Sequence, residues 1–175
     1  MAIQIHFKHS GMDELLRTMQ NISGKNAHKA AGRAAKRAAI AARVAATKRI
    51  RSIYTIKARD LKSHAQIFFK RDGVILHIKG PMESVTKYKA KKTRKGISVA
   101  IKKGNSKMVP RSFEYGRKFM QREGASRLPV RGLYGPSVPQ LFGNPEVISA
   151  MEERGLAVFE KRLRHEFGKL MGGVT

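Results

Sequence analysis

The sequence predicts an α+β fold: a long basic N-terminal helix packed on a small antiparallel β-sheet with a basic hairpin, plus a C-terminal helix. Three observations predict it. Between residues 26 and 52, alanines gather on one side of a helical wheel and Lys and Arg on the other. From residue 65 the pattern changes to period two, with Gly, Asp and Pro at the turns. From Pro145 a helical period returns and persists to about Leu170. With 175 residues, 41% of them hydrophobic, the chain suits a single α+β domain over residues 1–175 with a modest core.

Ala2-Ile-Gln-Ile-His-Phe7 alternates apolar and polar residues and reads as a short strand. Ser10 is placed to cap a helix over Met12–Asn21, with Asp13 and Glu14 in its first turn. Ser23-Gly24 marks a break or kink before the long run. On that run, with Arg33 at zero, Lys29, Lys36, Arg37, Arg43, Lys48 and Arg51 fall within about 80°. The opposite half is alanine, including Ala31, Ala34, Ala38, Ala42 and Ala46, and Arg49 stands alone among them. Alanine is the strongest helix former, and a side without bulk lets another backbone approach closely. A rod of about 40 Å results. Its alanine side suits packing along a sheet or against a copy in an oligomer. Its basic side suits an ordinary solvated surface or an anion-binding one.

Thr55 is the expected N-cap of a short helix in Thr55-Ile-Lys-Ala-Arg-Asp-Leu-Lys62. Ala65–Lys70 and Val74–Lys79 form a β-hairpin around Arg71-Asp72-Gly73, ended by Gly80-Pro81. A second pair, Val85–Lys92 and Ile97–Lys102, is joined by Thr93-Arg-Lys-Gly96. In an extended strand Lys87, Lys89 and Lys91 share one face, as do Ile97, Val99 and Ile101. Residues 84–111 therefore read as a projecting basic hairpin or arm, with a further strand over Met108–Phe113. Residues 123–145 are rich in Gly and Pro yet punctuated by apolar side chains, which reads as an irregular but ordered docking segment. Val147, Met151, Phe159, Leu163 and Phe167 contribute to the apolar stripe of the last helix. No internal repeat is present.

Charge narrows the function. Lys and Arg number 37 against 12 Asp and Glu, a formal net charge of +25. Residues 146–175 hold five acids and five bases, so residues 1–145 carry the whole excess. Two blocks contain no carboxylate at all: 45 residues between Glu14 and Asp60, and 30 between Glu83 and Glu114. Such runs are solvated faces or interaction surfaces, and self-repulsion of this size points to a polyanion or acidic neighbours as the partner. No stretch approaches the roughly 18–20 apolar residues needed to cross a bilayer, and Asp13-Glu14 precede any signal-peptide core. A soluble, non-secreted protein is the expectation, with no membrane partner.

Chemistry is sparse. Zero Cys removes disulfides, thiolate nucleophiles and Cys-ligated metal or cluster sites. The six His, at 6, 9, 28, 64, 77 and 165, show no metal-ligand spacing beyond the proximity of His6 and His9. Gly135-Pro-Ser-Val-Pro139 is not a nucleophile elbow, and no phosphate-cradling Gly-rich loop is present. The expectation is a protein without enzymatic activity, cofactor, metal or small-molecule substrate. Lys87, Lys89, Lys91, Lys92, Arg94, Lys95, Lys102 and Lys103 are the candidate DNA- or anion-binding residues. Phosphate contacts of this kind carry affinity without sequence information, and no recognition helix or aromatic RNA-binding signature accompanies them. Docking of the same arm on an acidic protein neighbour stays open.

Arg127-Leu-Pro-Val-Arg-Gly-Leu-Tyr-Gly-Pro-Ser-Val-Pro-Gln140 resembles a pattern found in the minor tail protein Z family of long-tailed bacteriophages and prophages. The order of the chain is similar too: an Ala/Arg/Lys-rich helix, a TIKARDLK-like segment, a basic β-region, this motif and a closing helix. The resemblance implies a structural virion protein at the head-proximal end of the tail, completing it and joining it to the head connector. It implies a hexameric ring of copies of this chain, with tail terminator, tail tube and head–tail connector proteins as neighbours and double-stranded DNA contacted without sequence preference. The place implied is the neck of the virion, and the host cytoplasm during assembly. Leu128, Pro129, Val130, Leu133, Tyr134, Gly135, Pro136, Ser137, Val138 and Pro139 are then the docking residues. Truncation after Gly124 is expected to leave soluble subunits unable to join tails to heads. A different class remains beside this one: a stand-alone cellular nucleic-acid-binding protein, ribosomal or nucleoid-like.

Overall fold

Alanine at every fourth position of the first helix sets the architecture. The structure, a computed structural model, describes residues 24–70 and 73–170. The expected strand at Ala2–Phe7, the helix at Met12–Asn21, the His6–His9 pair and the Arg71-Asp72 turn residues lie outside the described residues. The chain runs α1 (Gly24–Ile53), α2 (Ala58–Lys62), β1 (Ala65–Lys70), β2 (Gly73–Ile78) and β3 (Met82–Ser84). After a 3-10 turn at Val85–Lys87 come β4 (Lys89–Thr93), β5 (Gly96–Ala100), β6 (Lys107–Pro110), β7 (Ser112–Tyr115) and β8 (Lys118–Arg122). It closes with β9 (Val130–Gly132), β10 (Tyr134–Ser137), α3 (Val138–Phe142) and α4 (Pro145–Leu170). The mixed α+β class and its two long helices match the expectation from sequence.

Ala30, Ala34, Ala38, Ala42, Ala46 and Ile50 are all buried. A four-residue interval drifts by about 40° around a helix of 3.6 residues per turn, so the buried stripe winds about 200° around α1 between Ala30 and Ile50. It is covered mainly by α4. Ala34 packs with Leu163 and Phe167, whereas Ala42, Ala46 and Ile50 pack with Val147 and Met151. The two helices are therefore antiparallel, and the alanine side is filled from within the chain. Arg49, the charge among the alanines, reaches Glu146 at the start of α4, and Arg33 Nε donates to Glu166 Oε2 at 2.6 Å near its end.

The main core forms where the second half of α1 meets α2, the β1–β2 hairpin, α3 and the start of α4. Ile50, Leu61, Ile78, Leu141, Phe142 and Met151 are among its fully buried members. Cutting the chain after Gly124 would remove α3 and α4 from this cluster. The expectation of a soluble truncated subunit is thereby corrected: an intact fold needs residues on both sides of the cut.

The β-structure is spread over four small antiparallel sheets, β1–β2, β3–β10, β4–β5–β6 and β7–β8–β9. The strand expected at Met108–Phe113 is two strands in different sheets. Pro110 lacks the N–H needed to continue the ladder, and Arg111 adopts φ 55°, which turns the chain. Ser112 pins this corner: its Oγ accepts from Ile97 N at 2.7 Å and donates to Val109 O. Residues 123–145 are likewise less irregular than expected, since they supply β9, β10 and α3.

The short helix starts at Ala58, with Lys57 and not Thr55 at its N-cap. Thr55 does different work. Its hydroxyl donates to Ala100 O at 2.6 Å and accepts from Lys89 N at 3.0 Å. Lys103 N also donates to Ile53 O at 2.9 Å, and Tyr54 bridges Lys102. The exit of α1 is thus stitched to the basic sheet.

Candidate nucleic-acid interface

Strand alternation explains which lysines reach solvent. In the β4–β5 register Lys89 lies opposite Ala100 and Lys91 opposite Ser98, whereas Ala90 lies opposite Val99. Residues with period two share a face, so Lys89 and Lys91 stand together on the side away from buried Ile97 and Val99. That inner side rests on Val85, Val109, Phe119 and Leu133. The lysines are therefore mounted on a packed sheet. Arg94 and Lys95 form the exposed tip between β4 and β5, and Gly96 follows with φ 137°. A side chain at Gly96 would meet Val109 O at 2.4 Å, so only glycine lets the tip close against β6.

The structure divides the eight candidate cations into two groups. Lys89, Lys91, Arg94, Lys95, Lys102 and Lys103 are exposed and have no ion-pair partner among the described residues. Lys92 lies 3.8 Å from Glu114 across solvent, a pair of little energetic weight. Lys87 is set apart from the face predicted for it, because it sits in the 3-10 turn rather than on a strand. Its Nζ lies 2.6 Å from Oε2 of Glu83, and the other oxygen of that carboxylate is 3.0 Å from His64 Nε2.

Glu83 is the one buried carboxylate among the described residues, at 3% exposure. Sequence alone does not single it out, since one acid at the edge of a basic block looks like any surface residue. No sequence signal marks it: i, i+4 pairing is a rule of helices, and Glu83 and Lys87 lie on a strand and a 3-10 turn. Tyr88 packs beside Glu83. Burial, with Glu83 and Tyr54 adding negative potential, raises the Tyr88 hydroxyl well above the usual phenol range, and that hydroxyl donates to Pro136 O at 2.8 Å.

The Gly-Pro-Ser-Val-Pro motif is bound into the same neighbourhood. A side chain at Gly135 would meet the Tyr88 ring at 2.7 Å, so glycine there lets the ring lie on the backbone. Ser137 caps α3 in a capping box with Gln140. Val138 and Pro139 are buried in the core of the chain. Of the ten docking candidates, Leu128 and Tyr134 are the widely exposed large apolar side chains, at 69% and 57%. Pro129 is also exposed, and Val130, Leu133, Pro136 and Ser137 are half-buried. Met82, opposite Ser137 in the β3–β10 ribbon, is exposed as well.

No family model, curated protein or solved structure matches this chain. The arrangement itself supplies point charges on a rigid support. Among the described residues no group of three or more His, Asp and Glu is placed to hold a metal ion, and no helix is long and apolar enough to cross a membrane. A second concentration of cations lies on α1 and α2, where Arg43, Lys48, Arg51 and Lys62 line one cleft. The helical wheel holds three of them, but the contribution of Lys62 depends on how α2 folds back.

Proposed function

We propose that this chain is a structural virion subunit at the head-proximal end of a phage tail, where it completes the tail, joins it to the head connector and touches the DNA end. The observation that carries the reading is the sheet-mounted set Lys89, Lys91, Arg94 and Lys95, exposed and without ion-pair partners among the described residues. Such cations neutralise phosphates and release counterions, with no base edge to read. Mounting on a packed sheet limits the ordering cost of each contact. The resemblance of residues 127–140 to a tail-protein signature supports the location. Six copies in a ring would carry on the order of +150 formal charges around an axis that DNA must traverse. Exposed Leu128 and Tyr134 offer apolar anchors for a neighbouring subunit.

Binding of random-sequence duplex DNA, followed across a salt series, tests the DNA contact. Changing Lys89, Lys91, Arg94 and Lys95 to Gln is expected to lower the slope of log Kobs against log salt by about 3–4. An unchanged slope reassigns the sheet to protein docking. Strong preference for structured RNA over duplex DNA favours the cellular nucleic-acid-binding reading. Density for the mature particle without this subunit near the head-proximal tip of the tail overturns the virion role.

A further inference from the structure

The cleft on the basic side of α1 has a volume of about 570 Å3 and is open to solvent, within the size range of built ligand sites. Four of its lining residues, Arg43, Lys48, Arg51 and Lys62, are cations, and none is a carboxylate. The acid of α2, Asp60, lies 3.8 Å from Arg59. Arg43 is held in place: its guanidinium donates to Ala65 O at 3.2 Å, which leaves the rest of the fork oriented and available. The two hydroxyls in the lining, Thr47 and Ser52, donate to Arg43 O at 2.8 Å and Arg49 O at 2.6 Å. With those hydroxyl protons engaged, the side-chain donors left for a ligand are all cationic. A ligand that suits them is anionic and accepts without donating, as a phosphate does.

The surroundings choose the source of that phosphate. Lys36 and Arg37 are exposed on the same face of α1 as Arg51, and Arg33 on that face is paired with Glu166, so the row of one sign runs from Lys36 to Arg51. It measures about 23 Å at 1.5 Å per residue, about two-thirds of one turn of duplex DNA. An evenly charged polymer matches a row of that length, whereas an acidic protein surface has no fixed charge interval. We infer that the α1–α2 cleft is a phosphate-binding site that takes the backbone of a nucleic-acid duplex. It shares no residue with the β4–β5 cations and needs no tail, so failure of either reading leaves the other standing.

The test uses the full chain and a random-sequence duplex in a salt series. Lys48→Gln, Arg51→Gln and Lys62→Gln are combined, and Arg43 is kept because it also bonds the backbone at Ala65. The slope of log Kobs against log salt is expected to fall in magnitude by about 2–3. Arg117→Gln, Arg154→Gln and Lys169→Gln, an equal change in net charge at other exposed positions, are expected to shift it by less than about 1. Equal shifts in the two triples, or none in the first, overturn the site. Loss of polyglutamate binding with duplex binding intact also overturns it, in favour of an acidic protein. Acetylation footprinting of the unaltered protein gives a second reading that needs no variant. Duplex is expected to protect Lys48 and Lys62, and absence of protection overturns the inference.

Discussion

Lys87 and Lys91 are the same residue type four positions apart, and their surroundings give them opposite roles. Lys91 is exposed on β4, so Lys91→Gln is expected to change stability by less than about 0.5 kcal/mol. Lys87 pairs with a buried carboxylate, whose other oxygen, Glu83 Oε1, has no hydrogen-bond partner among the described residues. Lys87→Gln is expected to destabilise by about 1–3 kcal/mol, read by denaturant unfolding. Tyr88 adds a pH dependence. Its hydroxyl ionises higher in the fold than in the unfolded chain, so above about pH 10 the unfolded chain binds fewer protons and stability falls as pH rises. Tyr88→Phe has no such loss, but it gives up the bond to Pro136 O, worth about 1 kcal/mol. The wild type is therefore expected to be the more stable at about pH 8, with the gap closing by about pH 11. Lysine titration is common to both proteins and drops out of the comparison.

At the scale of elements, the motif that suggests a family is explained first by its own packing. Gly135 admits the Tyr88 ring, Ser137 starts α3, and Val138 and Pro139 enter the core. Gly135→Ala is expected to cost about 1–3 kcal/mol, because the added carbon meets a buried ring with little room to move, and a lowered thermal midpoint checks this. Docking is better sought at the exposed residues. Periodicity located α1, the first hairpin, β4–β5 and α4 within a few residues, since each is long enough for one face to dominate its composition. It missed the break at Pro110-Arg111 and the strands of residues 130–137, where three or four residues give no measurable period. It also assigned Thr55 to a helix cap, when the hydroxyl bonds backbone some 45 residues away.

Across the whole molecule, the closing helix is what turns a basic rod into a domain. The alanine side of α1 is buried by α4, and residues of α3 and α4 complete the main core. A chain ending at Gly124 is expected to lose cooperative unfolding and to expose that apolar stripe, which dye binding and circular dichroism would detect. Retention of a sharp thermal transition by the truncated chain would mean that the core closes without α4. The chain leaving β5 is tied to the exit of α1, where Lys103 N donates to Ile53 O two residues after Arg51. Two segments far apart in sequence are thereby fixed close to one another.

The fold class, the two long helices, the basic excess and its segregation from the last thirty residues can all be read from residue order, because each rests on local period or on simple composition. Which cations are free cannot. Lys87 differs from Lys91 through a buried carboxylate, and Lys62 joins Arg43, Lys48 and Arg51 because α2 folds back on α1. The Gly-Pro-Ser-Val-Pro segment turns inward for the same kind of reason. Burial and charge pairing depend on distances between residues remote in the chain, and those distances exist only once the helices and sheets have packed.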